Sequence, residues 1–310
     1  MKKEEFRPAK IDSLTDAHRV FGWPTPQHPL VSLIKGSHSP VEPDRIPPNQ
    51  GLGFYKIAYI PALRGQSIYG QPYCDFEEGG LLFASPGQLS HSHSNEGSVG
   101  SAYTLLIHPD FLLGYPLAKT IQQYGFFSYA THESLHLSEA EQAIILAIFT
   151  MIETELSNRI DDSSQPVIVA QLELLLTYAH RYYNRQFITR QAVSHDLLQR
   201  LEHLTERYFT DKTVLKRGLP TVGCLAQHVN LSPSYLSDML RSLTGQNTQQ
   251  YIHDKLIATA KEQLSTTHLS VSEVAYDLGF EHSQSFSKLF KTKTNLSPGA
   301  FRRLFNAEFS

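Results

Sequence analysis

Cysteine is scarce: 310 residues contain two, Cys74 and Cys224. They lie far apart, and Cys224 falls on the apolar side of a helical segment, so buried free thiols are expected rather than a disulfide. Long apolar runs are absent. No window approaches the roughly 18 uninterrupted apolar residues of a membrane-spanning helix, and Met1-Lys-Lys-Glu-Glu-Phe-Arg-Pro8 has no apolar run behind its charges. A cytoplasmic protein without membrane attachment is expected. Neither charge sign dominates: 27 Lys/Arg stand against 30 Asp/Glu, and a net charge of −3 excludes a uniformly basic nucleic-acid coat. The sequence holds no phosphate loop, nucleophile elbow or acid pair, so ordinary enzymatic chemistry has no carrier and no cofactor is expected.

What the sequence does have is concentrated between Leu219 and Arg303, where one short theme occurs twice. In the first copy, Val222, Leu225, Ala226 and Val229 form one apolar side. Asn230-Leu231 turns the chain, and Ser232-Pro233 starts a second helix with a capping hydroxyl and a proline at its first position. That helix turns Leu236, Met239, Leu240 and Leu243 inward and stops at Thr244-Gly245. In the second copy Ser270-Val-Ser-Glu273 is a capping box. Val274, Ala275 and Leu278 form the apolar face, Gly279-Phe280 makes the turn, and a helix from Ser283 to Thr292 buries Phe286, Leu289 and Phe290. Two tandem helix-turn-helix units are a far more specific signal than one.

Gly279-Phe280, Phe286-Ser-Lys-Leu-Phe-Lys291 and Leu296-Ser-Pro-Gly-Ala-Phe-Arg302 resemble the signature of AraC/XylS-type transcription regulators, as do Tyr251-Ile252, Leu256, Ala260 and Leu264 in the joining helix. The resemblance covers roughly the last third of the chain. It departs at Asn295, where the family usually has glycine, at Ser285, where an aromatic is common, and at Phe301, where tyrosine is common. Asn tolerates the left-handed conformation, so the turn at 295 is expected to survive. The resemblance implies double-stranded DNA as partner, an N-terminal domain that binds a small-molecule effector, a homodimer, and contact with RNA polymerase.

The fold expected is α+β in two domains. Residues 1–185 are an effector-sensing and dimerisation domain: an irregular arm over 1–50 with one strand near Leu30–Ile34, a small β-barrel or jelly roll over 51–110, and helices over 111–185. Short aromatic and β-branched runs at Phe54–Ile60, Ser67–Tyr69, Tyr73–Phe76, Leu81–Ala84 and Tyr103–Ile107, separated by glycine turns, carry the barrel. Asp75-Phe76, Gly80-Leu-Leu-Phe83, Ser85-Pro-Gly-Gln88 and Leu105 to Phe111 also resemble cupin-like sensor domains. Gly114 to Tyr129 reads as a short helix and loop. A helical hairpin follows, one helix opened by the capping box Ser138–Glu141 and a second over about Val167–Asn184. The stripe Ile168, Leu172, Leu175, Leu176 and Ala179 of that second helix is available either to the domain's own core or to a partner subunit. Residues 186–196 read as a polar linker. Residues 197–310 are the DNA-binding domain, whose first helix, Asp196–Phe209, is expected under the first helix-turn-helix unit.

The joining helix, about Asn247–Ser265, spans about 28 Å at 1.5 Å per residue, near the roughly 34 Å of one duplex turn. Both second helices can therefore enter successive major grooves. In the first, Ser234, Ser237, Asp238 and Arg241 face away from the apolar stripe. Asp238 can accept from cytosine or pair with Arg241, and Arg241 suits a phosphate. In the second, His282, Ser283, Gln284, Ser287 and Lys288 point outward, with Gln284 the best base reader. From Ser283 to Arg303 there are five basic residues (Lys288, Lys291, Lys293, Arg302, Arg303) and no acidic one, a local patch for the phosphate backbone. Tyr55, Tyr59, Tyr69, Phe76, Phe83 and Tyr103 are candidate effector contacts, or plain barrel core. One alternative is a metal enzyme or metal sensor built on His91, His93 and Glu96, a partial match to the cupin His-x-His and Glu set within a Ser/Gly-rich stretch.

Overall fold

The computed structural model describes residues 10–36, 50–61, 79–90, 102–158, 161–189, 191–210 and 218–308. The chain divides into two compact units, Met1–Gln186 and Phe187–Ser310. Among the described residues no helix is long and apolar enough to cross a membrane.

The N-terminal unit is built on a five-stranded antiparallel sheet of order β2 (Val31–Lys35), β7 (Tyr103–Ile107), β4 (Tyr55–Ile60), β5 (Gly80–Ala84) and β8 (Leu135–His136). A smaller sheet orders β1 (Lys10–Ile11), β3 (Gln50–Leu52) and β6 (Leu89–Ser90). Ile57 pairs with Phe83 on one side and Leu105 on the other, so side chains alternate between two faces. One face meets helices: Tyr59 donates to Gln142 at 2.7 Å, and the Tyr103 ring stacks on Phe149 at 5.3 Å. The other carries Ile34 and Leu106 into a core with Ile11, Leu14, Ala17, Leu52 and Phe54. The expected strands at 67–69 and 73–76 lie outside the described residues, as does Cys74; Cys224 is a free, half-buried thiol.

The arm read as irregular contains helix α1 (Leu14–Phe21), besides the anticipated strand near 30–34. Ser13 caps it, accepting from the Asp16 amide at 3.0 Å, and Gly22 closes it at φ 67°. His18, 4% exposed, projects from α1 into the core. The Pro24 carbonyl can only accept, so His18 Nδ1 carries the proton and Nε2 accepts from Ser32 Oγ at 2.9 Å. A neutral imidazole satisfies both bonds. Burial pushes the His18 pKa below its ordinary value, opposed by the Pro24 bond. The folded chain then binds fewer protons at this site than the unfolded chain. The stability His18 contributes is full above the unfolded value of about 6.5 and is lost as pH falls from there towards the folded value. Thermal unfolding followed from about pH 8 to about pH 5 is expected to show the N-terminal unit losing stability on the acid side. His18→Gln should flatten that slope. An unchanged slope in the variant would assign the acid sensitivity to other groups.

Beyond β7, the stretch 114–129 contains one short helix, α2 (Leu117–Thr120), followed by 3-10 turns, in line with the short helix and loop expected. Helix α3 (Glu139–Ser157) starts at the anticipated capping box, with Ser138 accepting from Glu141 and Glu141 reaching back to the Ser138 amide. Helix α4 (Ser164–Thr189) is longer than the hairpin reading allowed, and α5 covers Gln191–Thr210, so the described residues of the stretch read as a linker at 186–196 are helical. Ile168, Leu172, Leu175, Leu176 and Ala179 are at most 2% exposed within the single chain. Of the two roles expected for this stripe, that burial fits packing in the domain's own core; Val167, Leu174 and Ile188 are exposed apolar side chains of α4.

Among its described residues the elements of the C-terminal unit are all helices: α5, α6 (Val222–His228), α7 (Pro233–Thr244), α8 (Thr248–Thr266), α9 (Val271–Asp277), α10 (Ser283–Thr294) and α11 (Pro298–Glu308). Helix α8 is the spine, with α5, α7, α9, α10 and α11 all packed on it. Its Leu256, Ile257, Ala260 and Leu264 meet Val274, Ala275, Leu278, Phe286 and Phe290 in one core. Tyr208 and Phe209 at the end of α5 join that same core, so the first helix of the domain supports the second helix-turn-helix unit, whereas packing under the first was expected.

Candidate functional site

The two helix-turn-helix units share one hydrogen-bond plan. In the first turn Asn230 takes φ 54° and the Leu231 amide bonds the Ala226 carbonyl at 2.9 Å. In the second Gly279 takes φ 83° and the Phe280 amide bonds the Ala275 carbonyl at 3.0 Å. Both α7 and α10 have 12 residues. Each ends on a left-handed residue, Gly245 at φ 76° and Asn295 at φ 60°, whose amides bond the carbonyls of Arg241 and Lys291. Asn295 thus performs the glycine's task, as its tolerance of that conformation predicts. The shared ends fix a correspondence across the repeat: Ser234 with Gln284, Ser237 with Ser287, Asp238 with Lys288, and Arg241 with Lys291.

The side chains expected to meet DNA sit differently on the two helices. On α7, Ser232 caps the helix, accepting from the Tyr235 amide at 3.2 Å. Asp238 and Arg241 form a salt bridge at 2.7 Å. Ser237 Oγ lies 3.0 Å from Thr248 Oγ1, which ties it to the start of the spine helix. Ser234 is half-buried at the entering end. On α10, Gln284, Lys288 and Lys291 are exposed, Ser283 and Ser287 are half-buried, and the exposed His282 occupies the N-cap without a side-chain bond. Ser285, in place of the common aromatic, is exposed.

Two members of the basic patch are committed inside the domain. Arg302 Nε donates to the Leu264 carbonyl near the end of α8 at 3.1 Å, and Arg302 Nη2 is buried, which withdraws this side chain from a solvent-facing backbone contact. Lys293 pairs with Asp254 of the spine at 2.7 Å. Sequence reasoning missed both, because their partners lie 38 residues away for the first and on another helix for the second. Lys288, Lys291 and Arg303 remain exposed.

Residues 225–304 match the helix-turn-helix domain family. The arabinose operon regulatory protein of Escherichia coli (strain K12) is 40% identical over 81 residues, 26% of this chain and 28% of the relative. The C-terminal domain is of the AraC type. The HTH-type transcriptional activator RhaS of Salmonella schwarzengrund is 25% identical over 299 residues, 94% of this chain and 98% of the relative. Among solved structures, the C-terminal domain of the two-component response regulator yesN from Fusobacterium nucleatum is 29% identical over 34% of this chain and 98% of its own, with a TM-score of 0.31. The match to the arabinose operon regulators spans under a third of their length.

Electrostatically the two second helices of the AraC-type domain are unequal. The Asp238–Arg241 pair neutralises the outer face of α7. On α10 the corresponding positions are Lys288 and Lys291, and among the described residues neither has a carboxylate partner at salt-bridge distance.

In the N-terminal unit a cavity of about 150 Å³ lies beside β5. Among the described residues, Phe83 is the one member of the expected aromatic set found in its wall. Tyr55, Tyr59 and Tyr103 belong instead to the contact between sheet and helices: the Tyr55 ring lies 5.0 Å from Phe127, and the other two touch α3. Tyr69 and Phe76 lie outside the described residues, as do His91, His93 and Glu96. No group of three or more metal-ligating side chains occurs among the described residues. The wall residues that sequence reasoning missed include Leu52, Phe54, Lys56, Phe126 and Tyr183.

Proposed function

We propose that this protein is a DNA-binding transcription regulator whose N-terminal unit forms a small barrel and takes up a small-molecule effector. The observation that carries the reading is the pair of matched helix-turn-helix units on one 19-residue spine, in a domain of a family whose named relatives are operon regulators and activators. The spine spans about 28 Å, so α7 and α10 suit successive major grooves on one face of the duplex. Gln284 reads a base, since a carboxamide can bond adenine bidentately. Lys288 reaches guanine or phosphate, and Lys291 and Arg303 hold the backbone. Ser234, Ser283 and Ser287 approach the groove floor as small, adaptable groups. A pairing of two copies through α4 would draw on its exposed Val167, Leu174 and Ile188, the inner stripe being already covered.

The test begins with selection of bound fragments from a random duplex pool, followed by titration of the selected and a scrambled duplex. Gln284→Ala is expected to relax preference at one base pair, by about 1–3 kcal/mol. Lys291→Ala should weaken both duplexes alike and lower the salt slope by about one. Equal losses on both duplexes for Gln284→Ala would remove it from the reading set, and failure to select any sequence would remove the regulator reading itself.

A further inference from the structure

Lys56 is out of place by the chemistry of its neighbours. It lies on the β4 face opposite the helices, between cross-strand partners Ala84 and Leu106, neither of which carries charge. It lines the cavity with Leu52, Phe54, Phe126 and Tyr183. Among the described residues it has no salt bridge, and burial pushes its ammonium below the usual lysine range. Two polar side chains nearby are engaged elsewhere. Gln88 accepts from the Ser85 amide at 3.2 Å and donates to the Tyr129 carbonyl at 3.5 Å. Glu133, which follows the wall residue Ala130, turns its carboxylate onto the Ala130 amide at 2.6 Å.

An ammonium shielded from bulk water without a counter-charge is costly, and an anion that enters the cavity removes that cost. A space of about 150 Å³ admits a single ring or a short chain. The walls mix apolar and neutral polar groups, and Lys56 is the one charged residue among those lining them, which suits a partly apolar body with one acidic end. We propose that the N-terminal unit binds a small organic carboxylate in this cavity, the carboxylate paired with Lys56 and the apolar body against Phe54, Phe126 and Tyr183. A neutral polyol would leave the ammonium without its counter-charge. The assignment rests on reading the N-terminal unit as the effector domain and gives that effector its chemical class.

The test uses the full chain, with benzoate, phenylacetate and hexanoate as acidic probes and benzyl alcohol and L-arabinose as neutral ones. Thermal unfolding and calorimetric titration are followed for the wild-type chain, Lys56→Met and Lys56→Arg. At least one carboxylate is expected to raise the wild-type Tm by about 2–4 °C or more, with the neutral probes giving no rise. Lys56→Met should weaken carboxylate binding at least about 30-fold, while its ligand-free Tm holds or rises because an unpaired charge is gone. Lys56→Arg should keep the preference for acids, and it serves alone if the Met variant does not fold. Carboxylates that bind Lys56→Met as tightly as the wild type would overturn the assignment. So would a silent acidic panel, or a ligand-free Tm several degrees lower in both variants, which would mean that a partner within the chain holds Lys56. L-arabinose binding wild type and Lys56→Met alike, with a change in promoter affinity, would overturn the carboxylate and leave the effector reading standing. Carboxylate binding through Lys56 without any change in promoter affinity would do the reverse.

Discussion

Phe286→Ala is expected to cost the C-terminal unit about 3–5 kcal/mol and to abolish DNA binding. Phe286 is fully buried, its ring 5.5 Å from Phe280 in the preceding turn and 5.7 Å from Phe290 one helical turn on. Phe290 in turn meets Phe301 of α11 at 5.6 Å. These rings fill the space between α10 and the spine residues Leu256, Ile257, Ala260 and Leu264. Removing one opens a void that close-packed neighbours only partly refill. Helix α10 then loses the wedge that sets its angle on α8, and Gln284 and Lys288 lose their common aim. Denaturant unfolding is the measurement, with the N-terminal transition expected to stay in place and the C-terminal one to move. The adjacent Ser285→Ala, on an exposed side chain, should change stability by less than about 0.5 kcal/mol. A Phe286→Ala chain that unfolds like the wild type would show the ring cluster to be unnecessary to the domain.

Arg185→Met is expected to have the second largest effect, about 2–4 kcal/mol on the N-terminal unit, below the figure for a fully buried pair because the site is partly wet. Arg185 grips Glu141 with two bonds, Nε to Oε1 at 3.0 Å and Nη2 to Oε2 at 2.7 Å, and also donates to the His136 carbonyl at 2.8 Å. It thereby ties α4 to the start of α3 and to β8. The Glu141 side chain is only 15% exposed, so removing its partner strands a charge in a poorly solvated place. Neutralising that charge should undo much of the damage. Arg185→Met with Glu141→Gln is expected to recover most of the loss, because glutamine can still reach the Ser138 amide that Glu141 caps. No recovery in the double variant would mean that the lost contact to His136, rather than the stranded carboxylate, carries the effect.

The C-terminal domain was legible because its signals are local. Capping groups such as Ser232 and Ser270, the proline at 233 and the turn residues Asn230, Gly279 and Asn295 act within a helical turn of themselves. The N-terminal unit depends on pairings far apart in sequence. Helix α1 had its capping serine in view, yet the Pro- and His-rich surroundings outweighed it. The supposed linker looked polar because Arg185 and Gln186 are polar. Their partners, Glu141 on one side and the backbone of His136 and Ser134 on the other, lie about fifty residues back. Lys56 was hidden in a strand apolar on both faces, where alternation cannot say which way one lysine points. The basic run over 283–303 was legible as composition but not as availability, since Lys293 and Arg302 were already engaged.

The mismatch between α7, self-neutralised by Asp238 and Arg241, and α10, with Lys288 and Lys291 unpaired, has a consequence for how the domain would leave a promoter. Counterion release should strengthen the grip of α10 in dilute electrolyte and do little for α7. Raising potassium chloride would then peel the duplex from one end, so footprints at intermediate concentrations should shorten on the α10 side before the other half-site clears.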